Sequence, residues 1–175
     1  MTGASAEGGQ FEDRPNTADP PRLSHLDQSG HARMVDVSGK DVTARQARAS
    51  GRVLLSDKAV RALRAGEVPK GDAVAVARIA GIQGAKKTPD LIPLCHPIGL
   101  HAVSVELEVQ DHWVAITATA RTADRTGVEM EALTSVTVAA LTLIDMIKAV
   151  DPAAVITDVQ VEEKTGGTTG VWRRS

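Results

Sequence analysis

The segment Pro93-Leu94-Cys95-His96-Pro97 places the chain's single cysteine beside a histidine, between two prolines. Proline fixes its own φ and pushes the preceding residue toward an extended conformation, so Cys95 and His96 sit on a stiff, pre-shaped segment that suits a binding site. The plainer alternative is a packed turn, because a free cysteine usually behaves as a small hydrophobe. A second group interrupts an apolar stretch. In Leu143-Ile144-Asp145-Met146-Ile147-Lys148 the carboxylate and the amine are three residues apart, which makes them neighbours on a helix surface. Held close and partly dehydrated, such a pair can be tuned for proton transfer, with the lysine able to hold negative charge. Fully solvated, it is an ordinary surface ion pair. Glu129 and Glu131 flank Met130 at the start of the same stretch, where a helix dipole favours carboxylates. The functional alternative has Glu131 accepting hydrogen bonds from the guanidine-like edge of a purine or pterin.

Arg45, Lys70, Lys86, Lys87, Lys148 and Lys164 are scattered rather than run together. Each is by default a solvated surface charge, but several converging on one pocket would hold a polyphosphate. The chain has neither a G-x-x-x-x-G-K-[ST] loop nor a G-x-G-x-x-G fingerprint, which disfavours the common nucleotide folds. Cys95, His96 and His101 are too few and wrongly grouped for a zinc framework, so no metal site is expected.

Composition narrows the function classes. The 175 residues suffice for one domain with a real core. Phe11, Trp113 and Trp172 are the only aromatics, so that core must be Val, Leu, Ile and Ala. With a formal charge of -2 and almost no stacking platform, the chain is poorly suited to bind nucleic acid. A lone cysteine fits a reducing, cytoplasmic setting. No signal-peptide pattern opens the chain, and no run is expected to reach transmembrane length, so no membrane partner is expected.

These residues must be positioned by a small set of elements. Residues 1–22, rich in Gly, Pro and acidic residues, read as a disordered N-terminal tail, with a single catalytic domain over 23–175. Ala44 to Leu55 is compatible with a strand polar on one face. Ser56-Asp57 starts a helix that Gly66 ends, and Lys70 to Lys87 reads as a second helix with Ala73, Ala77, Gly81 and Ala85 in a small-residue stripe that admits close approach of another element. Alternation over Ala102–Val109 and Trp113–Arg121 predicts an antiparallel hairpin. Residues 127–149 form the principal helix, with Leu133, Val136, Ala140, Leu143 and Ile147 on one face. Val138, Leu141 and Ile144 make its middle apolar nearly all round, which predicts a second covering surface, another subunit. A strand follows from Val155 to Val161, then a flexible Gly-rich tail over Lys164–Gly170. This order suggests an α+β ferredoxin-like sandwich, an antiparallel sheet with helices packed on one face.

The segments 70–97 (KGDAVAVARIAGIQGAKKTPDLIPLCHP) and 126–152 (TGVEMEALTSVTVAALTLIDMIKAVDP), with HARMVDVSGK at 31–40, resemble the cyclic pyranopterin monophosphate synthases of molybdenum-cofactor biosynthesis. The resemblance spans nearly all of Leu23–Trp172. It implies a ferredoxin-like subunit, a hexamer built as a trimer of dimers, and active sites at subunit interfaces. The implied reaction converts (8S)-3',8-cyclo-7,8-dihydroguanosine 5'-triphosphate, a cyclised GTP derivative, to cyclic pyranopterin monophosphate, releasing pyrophosphate without a redox cofactor; Mg2+ with the triphosphate is compatible with it. By motif, Asp145 matches the catalytic acid/base with Lys148 as its partner. Leu94, Cys95 and His96 match one substrate-contacting segment, and Met130 with Glu131 another. Lys70, Glu129, Arg45, Lys86 and Lys164 match polar positions around the triphosphate and base. The competing class is a non-catalytic ferredoxin-like nucleotide-binding regulatory module, which would not need the Asp145–Lys148 pair. If Glu131 and Asp145 lie in one continuous helix, their fourteen-residue separation is roughly 21 Å along its axis. A site that uses both must then draw them from different chains.

Overall fold

The computed structural model describes residues 29–168 and 170–175. The chain divides into a unit Met1–Arg33, of which residues 29–33 are described, and a unit Met34–Ser175 that holds every element below. The expectations for residues 1–22, and for a folded start near Leu23, lie outside the described residues.

Strand β1 (Thr43–Leu54) alternates Ala47, Ala49, Gly51 and Val53 on a buried face with Arg48 and Arg52 on the exposed one. Its small inward residues let α4 (Glu129–Ile147) lie close across it, and a Cβ built on Gly51 would meet the Val136 side chain at 2.7 Å. After β1 come α1 (Asp57–Ala65), α2 (Ala73–Lys86) and the single turn α3 (Thr88–Leu91). The predicted hairpin forms from β2 (Leu100–Val109) and β3 (Trp113–Asp124), and the chain ends in β4 (Val155–Thr165) and β5 (Trp172–Arg173). All pairings are antiparallel, in the order β2-β3-β1-β4-β5, with helices on one side: an α+β sheet of ferredoxin-like type, as the sequence suggests. The core between the layers is aliphatic, with Val53, Val114, Ile116, Val136, Leu143 and Ile147 fully enclosed.

The cap signals hold. The Ser56 side chain accepts from Ala59 N–H to open α1, and Gly66 closes it in the left-handed conformation at φ 70°. Helix α2, however, starts at Ala73 rather than Lys70, because Gly71 (φ 95°) leaves the helical region and Asp72 caps the first turn by accepting from Ala75 N–H. Lys70 therefore precedes the helix, in a turn.

Three expectations are corrected. The second face of α4 is covered largely within the chain, by α2: Ala73, Ala77, Gly81 and Ala85 are buried, and a Cβ on Gly81 would lie 2.9 Å from the Ser135 carbonyl oxygen. Leu141 on α4 stays 56% exposed. Second, α4 is long and apolar enough, by length and composition, to cross a membrane; 56% of its most apolar 18-residue stretch is nevertheless buried in the fold, the setting of a core helix. Third, Lys164 and Thr165 belong to β4, and the segment beyond them returns as β5, pairing Glu163 with Arg173 and Lys164 with Trp172. Gly166, Gly167 and Gly170 all have positive φ, which lets the chain turn back there.

Candidate active site

Helix α4 carries polar groups at both ends and an aliphatic middle. At its C-terminal end the Asp145 carboxylate receives two ammonium groups, Lys148 Nζ and Lys70 Nζ, each at 2.7 Å. Lys148 is the C-cap of α4, three residues on from Asp145, and Lys70 comes from the turn that Gly71 and Asp72 hold ahead of α2. Both lysines lower the Asp145 pKa to about 2, Lys148 most strongly, through hydrogen bonds and charge. All three side chains are well exposed, so a ligand can reach the cluster.

A second cluster forms at the N-terminal end. Lys164 Nζ on β4 pairs with Glu129 Oε1 at 3.0 Å, and both side chains are largely covered. Arg45 on β1 donates from Nε to the Asp124 carbonyl at 2.9 Å and from Nη2 to the Arg125 carbonyl at 3.3 Å, which fixes its guanidinium beside the end of β3. Arg45, Gln46, Gly127, Glu129, Lys164 and Gly166 line one recess of about 150 Å³. Gly166 backs onto the Ala44 backbone carbonyl too closely to admit a side chain, and a Cβ on Gly167 would push against the Arg45 guanidinium.

Close by, Glu131 is only 3% exposed and its pKa is pushed up to about 7, chiefly by burial, with a smaller push from the Glu129 charge and an opposing hydrogen bond from its own N–H. Its charge is also felt by Cys95, whose thiol is raised first by burial and then by Glu131. The coupling sets the Pro93–Pro97 loop beside the start of α4. There Cys95 N–H donates to the Ile92 carbonyl at 3.0 Å, and His96 Nε2 donates to the Val35 carbonyl at 2.6 Å. A thiol held protonated is a contact group and not a nucleophile. Leu94, Cys95 and His96 are half-buried, and Met130 is 37% exposed.

The structure thus brings Lys70, Asp145 and Lys148 together, and separately brings Arg45, Glu129 and Lys164 together, with Glu131 and the Cys95 loop nearby. Helix α4 is continuous between them, so Glu129 and Asp145 are roughly 24 Å apart along its axis. Lys86 is exposed at the last turn of α2, and among the described residues no ion pair ties it to either cluster. Sequence reasoning missed the direct bond between Lys70 and Asp145, which are 75 positions apart. It also missed the glycine turn behind Arg45, whose only signal was the repeated glycine. Among the described residues no group of three or more His, Cys, Asp or Glu side chains could hold a metal ion. Chemically, one end offers a carboxylate between two acids, and the other a cationic recess suited to phosphate oxygens.

The model of the MoaC family matches residues 34–167. A Streptomyces coelicolor protein named cyclic pyranopterin monophosphate synthase is 66% identical over 167 residues, covering 94% of this chain and 98% of its own. A Nocardioides protein of the same name is 66% identical over 158 residues, with 89% and 97% covered. A Mycobacterium tuberculosis protein, cyclic pyranopterin monophosphate synthase 3, is 58% identical over 153 residues, with 87% and 86% covered.

Proposed function

The chain belongs to the MoaC family, and on that premise we propose that it is a lyase of molybdenum-cofactor biosynthesis, converting the cyclised GTP derivative (8S)-3',8-cyclo-7,8-dihydroguanosine 5'-triphosphate to cyclic pyranopterin monophosphate and pyrophosphate. The observation that carries this reading is the Asp145 carboxylate held at 2.7 Å by both Lys70 and Lys148. Opening and reclosing the base requires protons to be taken and given, and closing the cyclic phosphate requires a substrate hydroxyl to attack the α-phosphorus while pyrophosphate leaves. The conversion is redox-neutral overall, so no redox cofactor is needed, and any Mg2+ enters with the triphosphate.

At rest Asp145 is a carboxylate with a pKa of about 2, a weak base at neutral pH. Phosphate oxygens that draw Lys70 away would let the carboxyl rise toward its ordinary range, so that substrate itself readies Asp145 to accept a proton. Lys148 supplies the neighbouring acid. Arg45 and Lys164 take the remaining phosphate charge, with Lys86 at the rim, while Leu94, Cys95, His96, Met130, Glu129 and Glu131 seat the base.

Because the two clusters stand at opposite ends of α4, each site is completed by the second chain of a dimer, and a hexamer arises as a trimer of such dimers. The protein works in the cytoplasm, with no nucleic-acid or membrane partner. Incubation with the cyclised nucleotide and measurement of released pyrophosphate tests the reading. Stoichiometric release with formation of the cyclic monophosphate is expected, whereas tight binding without release would mark a regulatory binding module.

A further inference from the structure

Beside the Lys164–Glu129 pair lies an open hollow of about 380 Å³, within the size range of small-molecule pockets. Its polar side is that ion pair, and its apolar walls are Val161, Val171 and Trp172. Trp172 reaches this place because β5 returns along β4 and sets it directly across from Lys164. The ring is held: the Arg174 guanidinium lies 5.7 Å from its centroid, Arg174 Nε donates to the Val161 carbonyl at 2.8 Å, and Arg174 N–H donates to the Glu162 carbonyl at 2.9 Å. Even so, Trp172 remains 40% exposed. In a chain with two tryptophans and no tyrosine, an indole fixed at the rim of a cationic recess and left open to solvent is a ready face for a flat ring.

We propose that Trp172 is a stacking wall for the heteroaromatic ring of the substrate, a guanine-type or pterin ring whose phosphates occupy the neighbouring Arg45–Lys164 recess. This deepens the proposed function and rests on it. The charges attract any polyphosphate, while the indole adds preference for one that carries a planar base. Base–aromatic contacts of this kind change affinity by about 5- to 100-fold.

The test uses two probes on the full chain, GTP and inorganic pyrophosphate, with dissociation constants from calorimetry. Trp172→Ala should weaken GTP by about 5- to 100-fold and leave pyrophosphate within about twofold, and Trp172→Phe should recover most of the loss. In Trp113→Phe, where Trp172 is the only indole, GTP should quench emission saturably and pyrophosphate should not. Unchanged GTP affinity in Trp172→Ala, equal weakening of both probes, or no GTP quench in Trp113→Phe would each overturn the proposal. Turnover of the cyclised nucleotide, measured on the wild-type preparation, separates the two readings. Turnover with Trp172-independent GTP binding removes the stacking wall alone, and Trp172-dependent binding without turnover removes the proposed reaction alone.

Discussion

Asp145 is governed by its two ammonium partners and not by burial, and that distinction sets how its variants should behave. Asp145→Asn keeps size and hydrogen bonding but cannot accept a proton, so substrate should still bind while kcat falls by about 100-fold or more, read by single-turnover kinetics against equilibrium binding. Lys70→Met removes one of the two groups that depress the Asp145 pKa, so that pKa rises and the acid limb of the pH–rate profile should move to higher pH. An acid limb that stays in place would detach Lys70 from the proton chemistry. Glu131 has the opposite sign. Its carboxyl titrates near 7 in the fold and near 4.5 in the open chain, so over that window the folded state keeps a proton that the unfolded state has lost. Stability should therefore fall as pH rises from about 4.5 to 7, by on the order of 3 kcal/mol from this group. Urea midpoints across that range should fall less steeply in Glu131→Gln. The Asp145–Lys148 pair was legible in the sequence because three-residue spacing on a helix fixes proximity. The Lys70 contact was not, since it depends on where Gly71 breaks the chain ahead of α2.

Helix α4 crosses the sheet over small residues of β1 and is itself covered by the small-residue stripe of α2. Gly81→Ala tests that packing. The new methyl would approach the Ser135 carbonyl, a backbone atom that cannot swing aside, at 2.9 Å. Overpacking costs about 1–3 kcal/mol, and relief of a helix-interior glycine returns up to about 1, so a net loss of about 1–2 kcal/mol in denaturant unfolding is expected. A neutral or stabilising result would mean that the helices separate easily. The stripe and the hairpin alternation were readable because their periods are local. What covers the second face of α4 was not, because an apolar surface does not say whether its partner lies in the same chain. Strand β5 escaped for a related reason: two residues have no periodicity, and only their pairing with Glu163 and Lys164 makes them a strand.

At the scale of the whole molecule, the ferredoxin-like order of elements followed from the sequence, but its consequence for the site is geometric. Continuous helix α4 holds Asp145 and Glu129 roughly 24 Å apart along its axis, so on the proposed reading a single copy carries two half-sites. The proposed site is therefore shared between chains, and complementation distinguishes a shared site from one built within a single chain. Lys164→Met removes one of the two cations of the recess and Asp145→Asn loses the proton acceptor, so each protein alone should be nearly inactive. Co-refolding an equal mixture should place one intact site in every mixed dimer, and random pairing returns about a quarter of wild-type pyrophosphate release. A mixture verified to contain mixed dimers, yet as inactive as its parents, would contradict the shared site.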